Sequence, residues 1–431
     1  MPLKIFVCYY FYKVTKTRNK KIKMSTKLST RQKSKKVLAL IFMLIGIVGK
    51  PNVGKSTFFK ALTLAEVEIA NYPFTTIKPN EGVAYVKSRC VETQLGVKCK
   101  PRHGYCVDGW RFLPIKVIDV AGLVPKAHEG RGLGNKFLDD LRQADVLLHI
   151  VDASGTTDEE GRPTTGYNPA RDVKWLEEEI ELWFLGLITK DWDVMKRKAT
   201  TEKPIAVLTA KLTGLGITEE HIKQAMLKTG LDEEFQRWSS EEILEFVREL
   251  RRISKPIVVV ANKIDIESSK KNIEAIQKET NSKVFVVSAI AELALKEMAR
   301  AGQIEYIPGS AEFKVKQGSR ENSKKLEAIK AFLEKYKSTG VQEAIDYATF
   351  EVLKRFVVYP VENENKFTDK DGNVLPDAFL MPPGSKAIDL AYKIHQDIGN
   401  RFVSAIHAIT KQRLGRDYLL KHNDVIKILT H

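Results

Sequence analysis

The sequence predicts an α/β fold with a mostly parallel sheet, and three observations predict it. Short Val/Ile/Leu runs alternate with helical stretches through the first two-thirds of the chain, the pattern of parallel strands joined by crossover helices. A glycine-rich turn, Gly49-Lys50-Pro51-Asn52-Val53-Gly54-Lys55-Ser56, lies between one such run and a helix. A β-rich module with a single amphipathic helix follows Phe356.

The apolar runs at 44–48, 115–119, 146–151, 257–261 and 284–287 lack polar alternation, as expected of strands buried on both faces. Between 154 and 255 the period lengthens to that of amphipathic helices, with Trp175, Leu176, Ile180 and Trp183 in one stretch and Ser240 to Ile253 in another. The expected organisation is a domain from 44–153 and 256–310, a helical insertion at 154–255, a helical connector at 311–355 and the β-rich module at 356–431. Residues 1–43 hold 12 Lys/Arg and no acid, so the formal charge of +16 leaves only +4 for the rest. The basic leader is expected to be a disordered arm or an over-long start, with Met43 a natural start before the first strand; a transit peptide and an RNA-touching arm are its other readings. Its apolar run, Val37 to Val48, is shorter than the roughly 20 residues of a membrane span. Four cysteines in 431 residues do not make a disulfide scaffold and suit a reducing, cytoplasmic setting.

The turn fits G-x-x-x-x-G-K-[ST], the P-loop of nucleoside-triphosphate-binding proteins. Asn52, Val53 and Gly54 would turn backbone N–H groups toward phosphates, and the following helix, Thr57 to Ala65, would add its positive end. Lys55 is expected to reach the β- and γ-phosphates and Ser56 to ligate Mg²⁺. The strand through Ile118 ends in Asp119-Val120-Ala121-Gly122: Asp119 would hold Mg²⁺ through water and the Gly122 N–H would contact the γ-phosphate. The strand Pro256 to Ala261 delivers Asn262-Lys263-Ile264-Asp265. A buried Asp265 carboxylate would accept from guanine N1–H and its 2-amino group, a donor pair that adenine lacks. Lys263 would lie over the base, Asn262 would brace the loops, and Ser288-Ala289 would offer an N–H to guanine O6. GTP/GDP with Mg²⁺ is the expected ligand set.

With these elements in place the chain resembles the Obg superfamily of GTPases, in the YchF-like branch that keeps N-K-x-D. The segments Gly49–Ser56, Asn71–Asn80 and Asp119–Leu141 carry the likeness, which covers about 43–431. It implies a P-loop NTPase G domain in which Tyr72 to Asn80 is switch I and 122–136 is switch II. Thr76, rather than Thr75, is then the Mg²⁺ and γ-phosphate sensor. Better-known relatives carry N-x-x-E and prefer ATP; Asp265 departs from them toward GTP, and an ATPase of the same fold is the runner-up. Leu123 stands where many GTPases have the glutamine that orients water. Slow intrinsic turnover is expected, and His128 is the catalytic candidate beside Lys55 and Thr76; a surface histidine is its other reading. Asn52 occupies the position at which related GTPases bind a monovalent cation, so potassium is a further expected cofactor.

Cys90, Cys99, His103 and Cys106 form a set of four soft ligands suited to tetrahedral zinc. Their spacing lacks a C-x-x-C pair, which argues for a plain hairpin instead. The C-terminal module resembles a TGS domain of β-grasp fold on Val357–Pro360, Leu375–Leu380, Pro383-Gly384-Ser385 and His422–Ile428, with a helix expected over Lys386 to Ile398. Lys411, Arg413, Arg416 and Lys421 cluster near its end and suit RNA phosphates or a solvated loop. The implied partner is the ribosome or RNA, with no membrane. The leading reading is a regulatory GTPase; a ribosome- or RNA-binding scaffold with structural nucleotide is the alternative from another class.

Overall fold

The computed structural model describes residues 43–64, 80–120, 140–317 and 323–431. Its first sheet is built on β1 (Leu44–Val48), β2 (Glu81–Arg89), β3 (Tyr105–Val107), β4 (Trp110–Asp119), β5 (Val146–Asp152), β6 (Ile257–Asn262) and β7 (Val284–Val286). The spatial order is β2-β4-β1-β5-β6-β7, with β3 also pairing with β4. The five strands from β4 to β7 along this order run parallel, whereas β2 and β3 are antiparallel to β4. Every residue of β1, β5 and β6 is buried, which explains their unbroken apolar sequences. The two antiparallel additions escape the sequence pattern: β2 mixes the buried run Val83–Val86 with charged Glu81, Lys87 and Arg89, and β3 is only three half-buried residues.

Helix α1 (Lys55–Thr63) follows β1 directly. On the opposite face of the sheet lie α2 (Ala170–Thr189), α3 (Trp192–Ala199), α4 (Pro204–Leu212), α5 (Glu219–Thr229) and α6 (Ser240–Ser254). Helix α6 starts with a capping box between Ser239 and Glu242 and buries the stripe Ile243, Phe246, Val247 and Leu250, a spacing of one helical face. Its Arg251 is buried and pairs with Glu181 of α2 at 2.9 Å. The apolar stripes of these helices share one core with Leu44, Val48, Ile118 and Leu147 of the sheet.

Helices α7 (Lys270–Lys278) and α8 (Ala289–Arg300) flank β7. The segment expected to be a purely helical connector instead begins within a hairpin, β8 (Ile304–Tyr306) against β9 (Phe313–Val315). Ile304-Glu305-Tyr306 and Phe313-Lys314-Val315 each carry a charged residue at the centre and so lack the continuous apolar run that marks 284–287. Helices α9 (Ser323–Tyr336) and α10 (Val341–Tyr347) follow.

The C-terminal sheet has the order β11-β10-β14-β12-β13, from β10 (Phe356–Pro360), β11 (Phe379–Met381), β12 (Phe402–His407), β13 (Arg413–Leu414) and β14 (Asp424–Thr430). Parallel pairing of β10 with β14 and one helix, α11 (Ala387–Ile394), packed over the sheet make a β-grasp. The helix expected to continue to Ile398 stops at Ile394. His395 adopts an extended conformation, and its Nδ1 accepts the Asp397 N–H to cap a separate short helix, Gln396–Asn400. Val357, Tyr359, Leu375 and Val425 of this module lie in the same apolar core as Ile45, Val86, Cys90 and Val91. No helix among the described residues is long and apolar enough to cross a membrane.

Candidate functional site

The parallel strands end together at one edge, and the register places Ile47 opposite Asp119, Val48 opposite His149 and Asp152 opposite Asn262. Strand β1 lies between β4 and β5, where connections diverge to the two sides. Such a crevice at the carboxyl ends of strands is where open α/β sheets bind ligands. The loop after β1 turns through positive φ at Asn52 (62°) and Gly54 (91°). A Cβ at Gly54 would come within 2.4 Å of Asn262 Nδ2, so close approach of the two loops needs glycine there. A cavity of about 470 Å³ is lined by Lys50, Pro51, Asn52, Gly54, Lys55, Ser56 and Thr57. Lys55 Nζ lies 3.2 Å from Asp119 Oδ1, a buried oxygen without a hydrogen bond. Ser56 is exposed at the same cavity.

Asn262 ties this loop to the strand edge beyond it. Its Nδ2 donates to Val53 O at 3.0 Å, and its Oδ1 accepts the Ala289 N–H at 3.1 Å. The Ala289 N–H expected to meet guanine O6 therefore already has an acceptor, because Asn262 reaches across from β6. Ser288 Oγ donates to Asp265 Oδ1 at 2.7 Å and accepts the Ala291 N–H at the start of α8, fixing the carboxylate from a fully buried hydroxyl. Asp265 itself is exposed, not buried as expected, since it sits beyond the end of β6 on the rim of the crevice. Lys263 adopts φ 65° and pairs with Asp152 Oδ2 at 2.9 Å.

A buried clasp beside the loop was not legible in the motifs. Lys50 is 2% exposed; its ammonium pairs with Asp172 at 2.8 Å, donates to Thr157 O at 3.1 Å and lies 4.0 Å from the centre of the Tyr167 ring. Tyr167 Oη donates to Asp172 Oδ1 at 2.8 Å. Asn52 Nδ2 donates to Gly161 O at 2.9 Å. Asp152 accepts from the Ser154 N–H and the Thr157 hydroxyl, making the end of β5 the hub between clasp and Lys263. The one available signal was an aspartate at the end of an apolar strand.

His149, on β5 opposite Val48, is 1% exposed. Burial lowers its imidazole pKa from 6.5 to about 3, with the charge of Lys50 adding to the effect. The residue is neutral in the fold and protonates on unfolding below pH 6.5, so its contribution is complete above that pH and is lost as pH falls toward 3. Between pH 7 and pH 5 this amounts to about 2 kcal/mol. Urea unfolding at the two pH values should show that much less loss for His149→Leu than for the wild type; equal losses would exclude it.

Thr75, Thr76, Gly122, Leu123 and His128 lie outside the described residues. The zinc set is altered. Cys90, Cys99 and Cys106 converge with Glu92, and the four ligand atoms all lie within 4.8 Å of one another. His103 is not part of this group. Glu92 replaces it because the one-turn helix Glu92–Leu95 turns its carboxylate back to accept the Cys99 N–H at 2.7 Å. Lys411, Arg413, Arg416 and Lys421 are exposed around β13.

Fold and site together define a P-loop protein of the G-domain class. Three family profiles match: "50S ribosome-binding GTPase" over 44–182, "Obg-like GTPase YGR210-like, G4 motif-containing domain" over 260–363 and "TGS domain" over 366–430. A GTP-binding protein of Methanocaldococcus jannaschii is 53% identical over 392 residues, covering 90% of this chain and 99% of its own length. One from Schizosaccharomyces pombe is 38% identical, over 80% of this chain and 88% of its own. The crystal structure of a GTP-binding protein from Pyrococcus horikoshii OT3 matches with a TM-score of 0.72 at 39% identity, over 90% of this chain and all of that one. The chain belongs to the YchF-like branch of the Obg-like GTPases and carries a TGS domain.

Proposed function

We propose that this protein is a Mg²⁺-dependent GTPase, hydrolysing GTP to GDP in the cytoplasm as a regulatory switch that acts with the ribosome or RNA. The observation behind this reading is the convergence of Lys55, Asp119 and the Asn262–Asp265 loop on one strand-edge crevice. In this reading the loop N–H groups from Asn52 to Thr57 and the start of α1 cradle phosphates, and Lys55 neutralises the β- and γ-phosphates. Ser56, Thr76 and Asp119 hold Mg²⁺. The Asp119 oxygen, ion-paired with Lys55 but without a hydrogen bond, and the exposed Ser56 hydroxyl are hard oxygen donors suited to that ion. Mg²⁺ supplies charge neutralisation on the phosphate oxygens. Asp265, oriented by Ser288, accepts from the guanine edge; Lys263 covers the base; Gly122 serves the γ-phosphate. Ala289 would reach guanine O6 only by exchanging its bond to Asn262. Leu123 cannot orient water, which leaves that task to His128 and makes unaided turnover slow. Asn52 would share a K⁺ ion with the nucleotide.

Bacterial relatives bear the name ribosome-binding ATPase YchF, one from Buchnera aphidicola being 29% identical over 84% of this chain and 86% of its own length. That name supports a ribosomal partner here, and the exposed cations around β13 offer phosphate contacts. It also keeps an ATPase reading in view, against which Asp265 speaks.

Competition binding should show GTP preferred over ATP by at least about a hundredfold; displacement by ATP at equal concentration would overturn the base assignment. Turnover in KCl should exceed that in NaCl and rise with ribosomes. His128→Ala should lower turnover by roughly a hundredfold with GTP affinity unchanged. Absence of turnover under every condition would favour the scaffold.

A further inference from the structure

We propose that Cys90, Glu92, Cys99 and Cys106 bind one zinc ion, and that this ion fixes the loop on which the C-terminal module is docked. The ligand atoms come from three separate places in the chain: the end of β2, the one-turn helix after it, and the returning limb that becomes β3. Cys90 Sγ and Cys99 Sγ are 3.9 Å apart, and Cys106 Sγ is 3.1 Å from Glu92 Oε1. With Zn–S bonds of about 2.3 Å, the corners of a thiolate tetrahedron lie about 3.8 Å apart. The three thiols and the carboxylate therefore need only small side-chain adjustments to meet an ion. Bonded sulfurs would stand at about 2.05 Å, so this is a set of free thiols.

The surroundings suit such an ion. Three thiolates and a carboxylate around Zn²⁺ carry a net charge of −2, which is costly in an apolar setting without a compensating cation. Arg111 is 1% exposed and stands opposite Cys106 in the β3–β4 register. Tyr359 of the C-terminal module is fully buried in the same apolar core as Cys90, with a hydroxyl lacking a hydrogen-bond partner. Four protein ligands leave no open position, which makes the site structural rather than catalytic.

The same loop makes the inter-module contacts. The Lys100 and Arg102 N–H groups donate to Val374 O and Pro376 O, both at 2.8 Å. The Arg102 guanidinium pairs with Asp369 at 2.8 Å and Asp377 at 3.0 Å. Arg111 donates to Leu375 O and Pro376 O at 3.0 and 2.9 Å. These donors lie on or beside the segment between Cys99 and Cys106. An ion at its two ends sets the shape of the segment that reads the 369–377 backbone.

The test uses the full chain, reduced, without an affinity tag, purified from zinc-supplemented culture. Metal analysis should give one zinc per chain, released by a mercurial thiol reagent. Cys99→Ser and Cys106→Ser should lose it, and Glu92→Gln should bind at least about tenfold more weakly. Should the cysteine variants fail to fold, Co²⁺ added to metal-stripped wild type should give the intense absorption of tetrahedral cobalt thiolate. Hydrogen exchange should then show residues 98–106 and 367–377 losing protection on zinc removal and regaining it on zinc addition. Metal-free wild type with no cobalt spectrum, or a Cys90–Cys99 disulfide in its place, overturns the site. Unchanged Glu92→Gln affinity overturns the fourth ligand, and unchanged exchange overturns the docking role.

Discussion

Asp265→Asn should weaken GTP binding by close to a thousandfold and bring xanthosine triphosphate into the site. The native carboxylate offers two acceptor oxygens, one anchored by the Ser288 hydroxyl. In the proposed pose these oxygens accept from the two donors on the guanine edge. Hydrogen bonds to a charged group are worth about 1.5–3 kcal/mol each. Losing the charge and setting an amide N–H₂ against a guanine donor costs about 4 kcal/mol, which is about three decades of affinity. Xanthine carries a carbonyl at C2 where guanine carries an amino group, so the new amide donor finds an acceptor there. Titration calorimetry with GTP, ATP and XTP reads all three arms. Because Asp265 is exposed in the fold, the substitution should leave thermal stability unchanged, separating recognition from folding. GTP affinity equal to wild type would remove Asp265 from base recognition.

Asp172→Ala should destabilise the protein by about 3–5 kcal/mol, the cost of leaving a buried charge without its partner. Lys50 is 2% exposed, and after the substitution its ammonium keeps only the Thr157 carbonyl and the Tyr167 ring. Lys50→Met should cost less. Burial already raises the Asp172 pKa against the opposing pull of Lys50 and Tyr167, so without Lys50 the carboxyl takes up a proton and keeps its Tyr167 hydrogen bond. The double substitution should be more stable than Asp172→Ala alone, the sign expected when the damage comes from the orphaned cation. Denaturant unfolding of the four proteins gives the cycle directly. An Asp172→Ala loss below about 1 kcal/mol would mean that Lys50 finds water on relaxation. Lys50 stands in the phosphate loop, so nucleotide affinity should fall together with stability in Asp172→Ala, coupling the helical insertion to the site.

The contiguous motifs were legible because their chemistry is local. Gly49 to Ser56 specifies its own backbone path, with positive φ at Asn52 and Gly54, and a strand ending in Asn262-Lys263-Ile264-Asp265 carries those residues to the sheet edge whatever surrounds it. The β-grasp module was legible from its strand–helix–strand pattern, except where His395 ends one helix by capping the next. The failures share a cause. Glu92 rather than His103 meets the three cysteines because spacing along a hairpin does not say which way a one-turn helix points its side chains. The exposure of Asp265 and the prior engagement of Ala289 depend on how β6 and α8 meet.

The sequence by itself determined the α/β class, the phosphate loop, the strand-end aspartate and the Asn262–Asp265 loop, since each motif is a short run whose residues stay together in the fold. Only the tertiary structure decided how Lys50 and Asp172 pair across more than a hundred residues, and that Arg111 spans from β4 to the C-terminal module. It also decided that three cysteines and a glutamate meet. A buried charge must find a partner wherever the fold supplies one, and chain separation carries no information about where that is.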